Sequence, residues 1–151
     1  MPTRSSRPTG ISCNYATSRR RWCCCGSPTG NPEVILIASG SEVGLVVQAH
    51  DMLLAEGIRS RVVSMPSWDI FEPQTQAYRD SVLPPQVQAR VAVEQASTYG
   101  WERYVGPAGQ VIGMHTFGAS APLKELQRKF EFEPDRVVAA AKAQLGRTPQ
   151  D

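Results

Sequence analysis

Ser39, Gly40 and Ser41 stand between an apolar run and a stretch with helical spacing, while Glu94 and His115 each follow another apolar run. A strand that ends in Gly-Ser at a helix start can hold an anion. The first backbone N–H groups of a helix are free, and its dipole is positive at that end. Ser39, Gly40 and Ser41 would supply the donors. The pattern is not Gly-x-Gly-x-x-Gly, because Val43 stands three residues after Gly40, and no Gly-Lys-Ser/Thr follows. Two readings stay open here: a phosphate- or nucleotide-binding turn, and an ordinary strand-to-helix connection.

Glu94 and His115 would both lie at the carboxyl edge of a parallel sheet, where α/β proteins place ligands. Facing inward together they would form an acid–base pair; separately, Glu94 reads as a cap or interface group. His50 lies on a largely apolar helix face and reads as a packed histidine rather than a ligand. Gly-x-Ser-x-Gly does not occur, so no nucleophile elbow is present.

The four cysteines, Cys13, Cys23, Cys24 and Cys25, fall in the first 32 residues. Three in a row do not match the paired spacing of a structural zinc site, and His50 and His115 are far along the chain. No metal site is expected. Trp68, Phe71, Tyr99, Trp101, Tyr104 and Phe117 concentrate after three of the apolar runs. They form either an exposed partner surface, with Trp68, Phe71, Trp101 and Tyr104 as its centre, or local packing.

The elements that would position these residues alternate between strand and helix. Val34 to Ala38 is an unbroken, β-branched apolar run, as in a strand covered on both faces. Strands are expected at 33–38, 60–65, 89–94 and 110–114. Helices are expected at about 41–56, 73–83, 122–130 and 134–145, with a helical turn from Trp68 to Phe71. Ser41 is placed to cap the first helix, Gly57 to end it and Pro134 to open the last. Strands separated by helices need crossover connections, so the sheet is expected to be mostly parallel with helices on both faces.

The 151 residues suit one domain with a proper core, and 41% are hydrophobic. No apolar run approaches the roughly 20 residues of a membrane span. The net charge of +2 hides an asymmetry: residues 1–32 carry five arginines and no acid, and the remainder is mildly acidic. The basic, serine-containing leader is expected to be a disordered tail rather than a nucleic-acid arm or transit peptide. Gly26-Ser27-Pro28-Thr29-Gly30-Asn31-Pro32 reads as a linker. The domain after it has no cysteine, which is compatible with the cytosol.

Four blocks carry a further resemblance. They are Asn31-Pro32-Glu33 through Val43, Val62-Val63-Ser64-Met65-Pro66-Ser67-Trp68-Asp69-Ile70-Phe71, Arg90-Val91-Ala92-Val93-Glu94 with Gly100-Trp101, and Phe117-Gly118-Ala119-Ser120-Ala121-Pro122 with Val137 to Lys142. In this order and spacing they resemble the C-terminal domain of transketolase over about residues 31–147. The resemblance implies a three-layer α/β/α domain (33–147) with a mostly parallel five-stranded sheet and one antiparallel strand, flanked by the leader (1–32) and a tail (148–151). Only four strands are legible, so the fifth is expected near 136–145 or 100–108.

The resemblance also implies membership of a cytoplasmic enzyme of the pentose phosphate pathway. Such enzymes transfer a two-carbon ketol unit between sugar phosphates. Thiamine diphosphate and Mg2+ would lie in the domains that precede this one, so no catalytic, cofactor or metal residue carries over. Expected partners are those cofactor-binding domains or a second copy, with no nucleic acid and no membrane. The alternative is a standalone module that binds a small anion at Ser39, Gly40, Ser41, Glu94 and His115, or docks on transketolase domains through its aromatics. The Arg19 to Cys25 run is odd for such an enzyme and suggests a truncated or frame-shifted reading frame.

Overall fold

The computed structural model describes residues 23–25, 31–114 and 132–146. Along the chain run β1 (Cys23–Cys25), β2 (Val34–Ala38), α1 (Glu42–Ala55), β3 (Ser60–Ser64), α2 (Trp68–Phe71) and α3 (Gln76–Val82). Then come β4 (Arg90–Ser97), α4 (Glu102–Val105), β5 (Gln110–Met114) and α5 (Pro134–Gln144). The predicted helix at 122–130, with His115 and Phe117, lies outside the described residues.

The sheet has the order β1-β3-β2-β4-β5. Its pairings follow the expected parallel pattern except one: β1 runs antiparallel to β3, with Cys24 opposite Val63. This corrects two expectations. The fifth strand is neither at 136–145, which is helix, nor at 100–108, which holds the short α4. It comes from the cysteine run, so the folded part does contain cysteines. Three consecutive cysteines carry no alternation or turn signal of their own. Their pairing is set by the free edge of β3, a tertiary cause that local pattern does not reveal.

β2 explains the layering. All five of its residues are buried, and they alternate between two cores. Val34, Leu36 and Ala38 face one side with Val62, Val91 and Val93, under Leu45, Val46, Ala49 and Leu53 of α1 and Val137, Val138, Ala140 and Ala141 of α5. Ile35 and Ile37 face the other side with Val63 and Ala92, under Met65, Phe71, Val82, Trp101 and Tyr104. Period-two alternation in a central strand thus feeds two layers.

α1 ends where Gly57 adopts φ 77°, and its N–H reaches the Leu54 carbonyl at 3.0 Å. A side chain there would be strained, as the sequence implies. Ser41 departs from expectation: its hydroxyl does not cap the helix but donates to Oε1 of Glu42 at 2.8 Å. Its backbone is already helical (φ −68°, ψ −26°), whereas a capping side chain needs an extended residue to reach back. Lys142 of α5 pairs with Glu56 at the end of α1 at 2.5 Å, tying the two long helices together.

Candidate functional site

The strand order reverses direction between β2 and β4. The chain goes from β2 outward to β3, then crosses back to β4 on the other flank. In open α/β sheets the crevice at the carboxyl ends of such strands is the usual ligand position. Ser39 follows β2 and Glu94 lies in β4, and the structure brings them together across this point. The Ser39 hydroxyl donates to Glu94 Oε2 at 3.0 Å. The other carboxylate oxygen accepts the Ala96 N–H at 2.9 Å. That bond sits where the β4–β5 register breaks between Glu94 and Ser97, a bulge of the kind that re-aims side chains at sheet rims.

Gly40 adopts φ 54°, which only glycine takes at little cost, and Ser41 is exposed beside it. Glu42 is buried, its carboxylate held by Ser41. The Glu42 N–H is already engaged by the Ser39 carbonyl at 3.2 Å. The turn therefore presents two carboxylates where a bound phosphate would have to sit. An anion there meets like charge, and the Ser39 and Ser41 hydroxyls and the Glu42 N–H are already engaged. His115, the partner expected for Glu94, lies outside the described residues.

His50 is the packed histidine expected from its helix face. It is buried, and its Nδ1 lies 2.6 Å from the Ser60 hydroxyl at the start of β3. Burial pushes its pKa down, only partly opposed by Asp51 and by the Ser60 contact.

Of the four aromatics at the centre of the expected partner surface, three are buried and the fourth is half-buried, so they pack largely against one another. Phe71, Trp101 and Tyr104 are buried, and Trp68 is half-buried against them. Trp68 meets Trp101 edge-on at 5.4 Å and Tyr104 at 5.6 Å, and Phe71 meets Tyr104 at 6.0 Å. Among the described residues the second core has no long helix, and these rings supply much of its apolar volume. Gly100 is part of the fit: a methyl group there would lie 2.8 Å from the Trp68 ring. The Tyr104 hydroxyl donates to Glu72, which also pairs with Arg103, and Arg103 lies over the Trp68 ring at 5.5 Å. Burial first and the Glu72 bond second push the Tyr104 phenol up to about 12. Among the described residues, Tyr99 is the large exposed aromatic, at 84%.

Two arginines escaped sequence reasoning. Arg90 donates to the carbonyls of Val87, Tyr104, Leu83 and Pro84 at 2.9, 2.8, 3.4 and 3.0 Å. Arg61 donates to the Ser81 and Val82 carbonyls. Together they satisfy the carbonyls at the end of α3, where the helix dipole favours cations. An arginine opening an apolar strand was the available signal, since a charge there needs partners.

A family model described as the transketolase-like C-terminal domain matches residues 23–133. The chain belongs to the transketolase family. Transketolase 1 of Escherichia coli (strain K12) is 55% identical over 116 residues, which is 77% of this chain and 18% of that protein. The transketolase structure from Leishmania mexicana superposes with a TM-score of 0.71 at 40% identity, covering 80% of this chain and 17% of that one. A split-gene transketolase, described as an inactive beta4 tetramer, shares the fold at 22% identity with a TM-score of 0.67. It covers 97% of this chain and 49% of that one. The chain thus spans about 18% of the length of the curated transketolases it matches. The matched transketolase segment starts at Cys23, so it takes in β1 ahead of the resemblance seen from Asn31 onward.

Proposed function

We propose that this chain is the C-terminal assembly domain of a transketolase and turns over no substrate by itself. The observation that carries the reading is coverage: the match lies in the C-terminal domain model and reaches only 18% of the curated relatives. In the family, thiamine diphosphate and its metal belong to the preceding domains, and the carboxylate-rich edge here offers them no replacement. The ketol transfer between sugar phosphates then belongs to an assembly with those domains in the cytoplasm, and this domain stabilises it or its dimer. The split-gene relative, an inactive tetramer, fits the same division of labour. Among the described residues, no helix is long and apolar enough to cross a membrane.

A coupled assay of the purified chain with thiamine diphosphate, magnesium and sugar phosphates tests this. No turnover is expected from the chain alone, and turnover would overturn the reading.

A second reading is favoured by the Ser39–Glu94 bond across the strand-order reversal. A small ligand there would be a neutral polyol rather than an anion, given Glu42 and Glu94. Titration with a sugar and with its phosphate, followed by tryptophan fluorescence, separates the two ligand classes.

A further inference from the structure

We draw no further inference here: the strongest candidate, the surface patch at the rim of the aromatic face where Tyr99 and Ile70 are exposed beside Trp68, carries nothing, because nothing in the structure shows what covers it.

Discussion

The two faces of the sheet are built on different principles. One is covered by α1 and α5, two long helices whose aliphatic side chains meet β2, β3 and β4 at helical spacing. The other is covered by the short α2, α3 and α4, whose apolar volume comes from Phe71, Trp101 and Tyr104 and whose connections are held by Arg90. Long helices can lose one contact and keep the rest of a stripe. Short turns depend on a few large rings and on hydrogen bonds to carbonyls that no helix satisfies. Both faces are covered by elements of the chain itself.

The largest test of that difference compares one deletion on each face. Trp101→Ala is expected to cost about 3–5 kcal/mol and Leu53→Ala, on the buried face of α1, about 2–5 kcal/mol. Trp101 should sit at the upper end because its edge-on contacts with Trp68 and Tyr104 are lost as well. Urea unfolding of both variants measures it. A larger cost for Leu53 would reverse the proposed dependence on rings.

These faces were also unequally legible in the sequence. Val34 to Ala38, the α1 spacing, Gly57 and Pro134 all announce local structure, because their effects act within a few residues. β5 was likewise readable at Gln110–Met114. The burial of Trp101 and Tyr104 was not, since aromatics in loops look alike whether they meet solvent or one another. The Ser39–Glu94 bond joins residues 55 apart, and only the topology brings them together. β1 was hidden for the same reason: its partner strand, not its own composition, makes it a strand.

Arg90→Met comes next. It keeps the aliphatic stem but strands up to four carbonyls, and is expected to cost about 1–3 kcal/mol. Thermal unfolding would show it, and an unchanged midpoint would mean that those loops hold themselves.

A smaller effect belongs to the helical face and depends on pH. The buried His50 has a pKa below its ordinary 6.5, so the unfolded chain takes up that proton first. Its contribution to stability is therefore fully present above that value and is lost as pH falls below it. Urea midpoints at about pH 7.5 and about pH 5.5 should differ less in His50→Gln than in the parent chain. An unchanged difference would assign the acid sensitivity to other groups.

The smallest change is expected at the rim of the aromatic face. Arg103 and Glu72 are exposed by 52% and 44%, so Arg103→Ala should leave the urea midpoint within error. A clear loss would mean that the stacking of Arg103 over Trp68 contributes to that face.

The most direct test of the assembly role is to mix this chain with the cofactor-binding domains of Escherichia coli transketolase 1, made without the C-terminal segment it matches. Size-exclusion chromatography with light scattering then reads the complex. Co-elution, with a raised thermal midpoint for the truncated partner, is the expected result. Separate elution of two folded proteins would contradict the assembly role.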